Sequence, residues 1–387
     1  MIYLDNAATT QVSQRVVNAM LPYFTEMYGN AGSIHTMGAD AAKAMQKARE
    51  QCARPINADP EDIIFTSGGS EANTLAIVGL AKHLISIGKT HVITTPVEHP
   101  SVLEAMKYLF YSGFEVEYLA MGKDGGLDTA ELTSKIRKNT GLVSVMAVNN
   151  ETGNSYDIQR IGAKCKKYGI FFHTDCVQAY GNMDIDVERD HIDFLSVSGH
   201  KFHAPKGVGF LYAKHKELLQ PIILGGGQEQ TLRSGTENVP SIVGMGEAAE
   251  AAFEDPTSKQ KNADKRKLFL SELTKELGEV QINGCPHDGS KTVNLFFDGV
   301  DGETLLLLLN NKGIFVSAGS ACSAHSAVPS HVLTAIGLSD DEARSSIRVS
   351  FSVFTTNEEI CEAAHVIADS VKKLQRPAKK SQVEISR

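Results

Sequence analysis

With 387 residues the chain is too long for one small core and long enough for two domains. Its 42% hydrophobic and 22% charged residues are ordinary for a globular protein. A formal charge of −8 argues against general nucleic-acid binding through a basic surface, though it leaves room for a local basic patch. No apolar run approaches the roughly 20 residues of a membrane span. The start, Met1-Ile2-Tyr3-Leu4-Asp5, lacks the basic-then-apolar pattern of a signal peptide, so a cytoplasmic protein without membrane attachment is expected.

Six cysteines (Cys52, Cys165, Cys176, Cys285, Cys322 and Cys361) are scattered without any C-x-x-C pair. At this size and in this compartment they do not read as a disulfide framework, and most are expected to be small core hydrophobes, Cys361 among them on an apolar helix face.

Taken in order, residues 3–10 (Tyr3-Leu4-Asp5-Asn6-Ala7-Ala8-Thr9-Thr10) read as a short strand running into a polar turn. Helices are predicted over 12–23 and 40–53, with a loop rich in small residues at 28–33 between them. From residue 63 short apolar runs at 63–66, 92–95, 116–119, 142–148, 170–173, 194–197 and 208–213 alternate, for the most part, with helix-like stretches at 71–87, 101–111, 129–138 and 158–168. That alternation predicts an α/β fold with a mainly parallel seven-stranded sheet covered on both faces. A helical stretch at 241–254 and a charged stretch at 255–267 lead into a helix at 268–277. A smaller α+β unit follows, with strands at 280–283, 292–297, 314–317 and 347–351 and helices at 303–312, 330–336 and 357–374, the last with Asn357 as N-cap. The expected division is an N-terminal segment 1–15 packing with the small domain, a large domain 16–255, a small domain 256–375 and a polar tail 376–387.

Several strand ends carry residues with chemical potential. The run Phe194-Leu195-Ser196-Val197-Ser198-Gly199-His200-Lys201 places Lys201 just past a buried strand, where open α/β sheets bind ligands. A desolvated lysine there can lose its proton and attack a carbonyl; the alternative is a surface lysine in a turn. Thr66-Ser67-Gly68-Gly69-Ser70-Glu71 opens a helix and is either a phosphate cradle or a tight turn with a capping serine. Asp175, in Phe172-His173-Thr174-Asp175-Cys176, ends another buried strand and needs either a cationic partner, such as a protonated pyridine nitrogen, or a helix to cap. Val97-Glu98-His99-Pro100-Ser101 offers an imidazole able to stack on a flat ring, and Asn149-Asn150-Glu151-Thr152-Gly153 offers amides in a turn. Ser317-Ala318-Gly319-Ser320-Ala321-Cys322-Ser323 is a small, flexible loop whose thiol is either exposed and reactive or, as for most cysteines, buried. The spacing of Cys322, His325 and His331 matches no strong zinc pattern, and no metal is expected.

These motifs together, from Tyr3-Leu4-Asp5-Asn6-Ala7-Ala8-Thr9-Thr10 to Ile347-Arg348-Val349-Ser350-Phe351, closely resemble the cysteine desulfurases, fold-type I pyridoxal-phosphate enzymes of the class V aminotransferase group. The long loop around Cys322 is similar to that of the NifS/IscS-type (class I) branch. The resemblance implies pyridoxal 5′-phosphate as cofactor, carried on Lys201. It implies Gly69, Ser70, Ser198 and His200 around the phosphate, with Thr236 reaching the phosphate of a neighbouring subunit in a homodimer. It pairs Asp175 with the pyridine nitrogen and Gln178 with the ring hydroxyl, stacks His99 on the ring, and gives the substrate carboxylate to Asn150 and Arg348. The implied reaction converts L-cysteine to L-alanine and leaves the sulfur on Cys322 as a persulfide. Delivery then goes to an acceptor protein for iron–sulfur cluster, thio-cofactor or tRNA synthesis, with no stable nucleic-acid binding. Rival readings are transamination or selenocysteine cleavage on the same scaffold, or a binding protein that kept the fold.

Overall fold

The computed structural model describes residues 1–287, 289–318 and 329–375. A two-residue strand, β1 (Ile2–Tyr3), precedes seven strands that form one sheet: β2 (Ile63–Thr66), β3 (His91–Thr94), β4 (Glu115–Tyr118), β5 (Thr140–Ser144), β6 (Phe171–Asp175), β7 (Phe194–Ser198) and β8 (Gly209–Ala213). Their order is β2-β8-β7-β6-β5-β3-β4. Only β8 runs against its neighbours, so the sheet is mainly parallel, as its apolar strands predict.

Alternate side chains on these strands enter opposite cores. Phe65, Ile93, Val143, Leu195 and Phe210 face one side, and Ile64, Val92, Leu142, Phe194 and Leu211 the other. The helix Thr36–Ala53 serves the first face; Gly69–Ser86 and Pro100–Tyr111 serve the second.

The three-stranded antiparallel sheet of β9 (Gln281–Asn283), β10 (Thr292–Phe296) and β12 (Ser346–Ser350) lies apart from this one, and β11 (Ile314–Phe315) pairs in parallel with β1. Their core joins Ile2 and Leu4 to Phe269, Leu295, Val349 and Ile367. The first residues of the chain are thereby built into the same core as its last helix.

Three local expectations need correction. The run 142–148 is regular strand only to Ser144; Val145–Val148 stay buried, and the N–H groups of Val145 and Ala147 still donate to the His173 and Asp175 carbonyls of β6. The helix Asn357–Leu374 is capped by Thr356, whose hydroxyl accepts from the Glu359 N–H while Glu359 bonds back to the Thr356 N–H. Cys361 is exposed: the buried stripe of that helix is Ile360, Ala363, Ala364, Ile367 and Val371, and residue 361 lies one step round from it. Among the described residues no helix is long and apolar enough to cross a membrane.

Candidate active site

The neighbouring parallel strands β6 and β7 end together. Asp175 is the last residue of β6, and a single 3-10 turn, Gly199–Lys201, follows Ser198 at the end of β7. Both ends open onto a cavity of about 260 Å³ lined by Gly69, Ser70, His99, Asn150, Asp175, Gln178, Ser198, His200, Lys201 and Arg348. Ten of the twelve sequence-predicted site residues therefore meet at one place. Thr236 is exposed and does not line the cavity, and Cys322 lies outside the described residues.

The turn into the helix Gly69–Ser86 decides one open alternative. Its N-cap is Gly68, at φ 153° and ψ −176°, a conformation reserved for glycine. No side chain caps this helix, and Ser70 lies inside it. A Cβ on Gly69 would stand 2.6 Å from Cγ2 of Val177. Bare backbone at the start of an 18-residue helix is thus turned towards the cavity, an arrangement suited to an anion.

Asp175 is 4% exposed. One carboxylate oxygen accepts from the Val177 N–H at 2.9 Å and the other from Nδ2 of Asn73 at 2.7 Å. These partners are neutral, so a buried carboxylate faces the cavity with no cation paired to it among the described residues. Asn73 uses its second amide hydrogen on Oγ of Ser101, 2.9 Å away, and that oxygen lies 2.8 Å from Nδ1 of His99. Nδ1 also accepts the Ser101 N–H, which leaves the proton of neutral His99 on Nε2. Burial holds His99 below the ordinary imidazole range, against the upward pull of Asp175. Burial and the adjacent Lys201 bring His200 to about 4, so both imidazoles are neutral at pH 7.

Lys201 is half-buried, and its Nζ donates to the carbonyls of Ala7 (2.6 Å) and Ala8 (2.8 Å). Gln178 Nε2 donates to the same Ala7 carbonyl at 2.9 Å. Across the cavity Arg348, 1% exposed on β12, gives Nη2 to Asp5 (2.8 Å) and Nη1 to the Asn150 carbonyl (3.2 Å). The N-terminal segment thus holds both cationic groups through Asp5, Ala7 and Ala8.

Three participants were not foreseen as site residues. Asn73 sits one helical turn after Gly69, a buried amide in the mostly apolar run 72–77, and that position was its one signal. Asp5 gives no local signal, since its partner is more than three hundred residues away. Glu98 is fully buried and burial pushes its carboxyl up to about 8, so it is mainly protonated at neutral pH. Its side chain accepts from Thr95 and from the Met146 N–H, and its carbonyl accepts from Nε2 of His331.

The residues present suit pyridoxal phosphate. An uncapped helix start would suit a phosphate, a buried carboxylate with only neutral described partners would suit a protonated pyridine, and a lysine lines the same space.

Comparison with known proteins agrees. The aminotransferase class-V family matches residues 2–362. The cysteine desulfurase IscS of Dictyoglomus turgidum is 42% identical over 377 residues, 97% of this chain and 95% of that one. A solved NifS-like protein superposes with a TM-score of 0.88 at 36% identity, covering 96% of this chain and 100% of its own. The structure of SspA in complex with cysteine superposes with a TM-score of 0.81 at 37% identity, covering 92% and 100%. Likeness of this length and identity makes the chain a member of the aminotransferase class-V family, in its NifS/IscS-like cysteine desulfurase group, whose enzymes use pyridoxal 5′-phosphate.

Proposed function

We propose that the cavity binds pyridoxal 5′-phosphate and L-cysteine, and that the chain releases L-alanine while passing sulfur to Cys322. The observation that carries this reading is Asp175, a buried carboxylate with only neutral described partners, lining the same cavity as Lys201. When bound, the cofactor supplies an electron sink that makes the substrate Cα–H acidic.

The chain's own groups do the rest. Gly69, Ser70, Ser198 and His200 hold the phosphate, Asp175 meets the ring nitrogen, Gln178 meets the ring hydroxyl and His99 lies against the ring. Arg348 and Asn150 receive the substrate carboxylate; the planar guanidinium, already fixed by Asp5, suits that geometry. Lys201 tethers the cofactor and takes the α-proton of the substrate. The Cys322 thiolate attacks the substrate sulfur: an S–S bond forms, the C–S bond breaks, and its electron pair stays on carbon, which is protonated to give alanine. His99, neutral with its proton on Nε2, can hand on that proton.

The persulfide is consumed by a sulfur-acceptor protein serving iron–sulfur cluster, thio-cofactor or tRNA synthesis. The chain divides into 1–15, a large domain 16–255, a small domain 256–375 and the tail 376–387. It works as a cytoplasmic homodimer without membrane or stable nucleic-acid attachment. Thr236 reaches the phosphate held by the neighbouring subunit, a reading supported by its exposure.

The test is to incubate the yellow holoenzyme with L-cysteine and a reductant and to measure alanine and sulfide together. Equimolar products that vanish in Cys322→Ala are expected. Alanine formation undiminished in that variant would overturn the persulfide role.

A further inference from the structure

We infer that a second cavity, directly behind Lys201, is a binding site for a small amphiphilic carboxylate, with the Lys291 ammonium as its charge partner. This cavity, of about 320 Å³, is separate from the first, and Lys201 lines both. Its volume falls at the small end of the range for small-molecule sites, about 300–1,000 Å³. Phe202, Ala248, Ala252 and Phe354 give it apolar walls, and Asn182, Asn262 and Lys291 supply polar groups.

Lys291 immediately precedes β10 and is 7% exposed. Its Nζ donates to the backbone carbonyl of Lys201 at 2.8 Å, and among the described residues no carboxylate pairs with it. A buried ammonium without a counterion is costly, and burial accordingly lowers its pKa to about 7. The acids and bases at the cavity's mouth are already engaged: Asp255 with Lys261 and Thr257, Arg15 with Glu247 and Glu254. His203 is kept neutral by burial, and its Nδ1 donates to the Gln11 carbonyl. Among the described residues lining this space, Lys291 is thus a buried amine that no carboxylate meets, and a carboxylate on a short apolar body matches both features.

The cavity is wired to the active site at two points. Lys291 holds the Lys201 carbonyl, and Asn182, held in turn by Asn262, donates to the Gln178 carbonyl. A ligand that pulls on Lys291 thus acts on the backbone of the cofactor lysine, and reciprocity requires that changes at Lys201 alter its affinity.

Octanoate is the probe, titrated calorimetrically into wild-type holoenzyme and into Lys291→Met, Lys291→Arg and Ala252→Phe. One saturable site is expected in the wild type, together with a change in the cofactor's visible absorption. Lys291→Met should weaken binding at least about tenfold, because one partner of a buried charge pair is lost. Lys291→Arg should keep most of the affinity, and Ala252→Phe, which fills the cavity, should abolish it. Absence of saturable binding at millimolar octanoate, equal binding by Lys291→Met, or competition with L-cysteine for the front cavity would each overturn the proposal. Should Lys291→Met fail to fold, wild-type affinity in Ala252→Phe overturns it alone.

Discussion

Replacing Asn73 by leucine isolates the hydrogen bonds that tie Asp175 to His99. The two side chains share the same branched four-atom skeleton, so the change removes donors without opening a cavity. Lost are a 2.7 Å bond to a carboxylate and a 2.9 Å bond to the Ser101 hydroxyl. A hydrogen bond to a charged acceptor contributes about 1.5–3 kcal/mol and a neutral one about 1 kcal/mol. Against this, Oδ1 of Asn73 is itself buried with no partner among the described residues, and its removal returns roughly 1 kcal/mol. The net expectation is a destabilisation of about 1.5–3 kcal/mol, which lowers the guanidinium midpoint of the apoprotein. The bond to Asp175 should matter equally in catalysis. Its loss, if realised in the transition state, lowers kcat/KM for L-cysteine about ten- to a hundredfold. Ser101→Ala removes the hydroxyl that links Asn73 to His99, leaves the Asn73 bond to Asp175 and the Ser101 N–H bond to His99 in place, and should cost no more than about tenfold. An unfolding midpoint and a kcat/KM unchanged in Asn73→Leu would refute the claim that this amide holds the two groups in register.

Gly69→Ala should lose cofactor affinity and about 1–3 kcal/mol of stability, since its Cβ would lie 2.6 Å from Cγ2 of Val177; equilibrium dialysis against pyridoxal phosphate reads the first. Adding Val177→Ala removes the clash and should restore much of both, and a double variant as poor as the single one would count against the steric cause. On acidification, apoprotein stability should fall from about pH 6.5 towards pH 4. Burial lowers His173 to about 3 and His200 and His203 to about 4, so in this window the unfolded chain binds protons that the folded one does not. His173 alone, fully buried between the Ser144 and Ser196 hydroxyls, should remove about 2 kcal/mol by pH 5. Guanidinium midpoints measured across this range should flatten in His173→Gln; an identical slope in that variant would argue against the assignment.

The seven strands and the edge of the sheet that carries the chemistry were readable because each signal is local. A buried strand is a short apolar run, and its functional residue follows within a few positions, as Asp175 follows Phe172 and Lys201 follows Val197. Helix ends were less legible. The helix Thr36–Ala53 starts four residues before its expected place because His35 caps it through Nδ1, and histidine is not a usual cap. The charged stretch 255–267 read as a lead-in, yet helix begins at Ser258, since lysine, glutamine and arginine sustain a helix whose face is mostly solvated.

What the sequence withheld is the set of partners that fix the catalytic groups. Asn73 reaches Asp175 across 102 positions, Asp5 reaches Arg348 across 343, and Lys291 reaches the Lys201 carbonyl across 90. Nothing in a local pattern encodes such pairings, because folding brings them together by packing one core against another. Ile2 and Leu4 enter the core built by residues 269–371, and that anchoring sets Asp5, Ala7 and Ala8 against Arg348 and Lys201. Residues 5–8 therefore help to build the candidate site, and the geometry of Lys201 and Arg348 depends on how firmly β1 is held against β11.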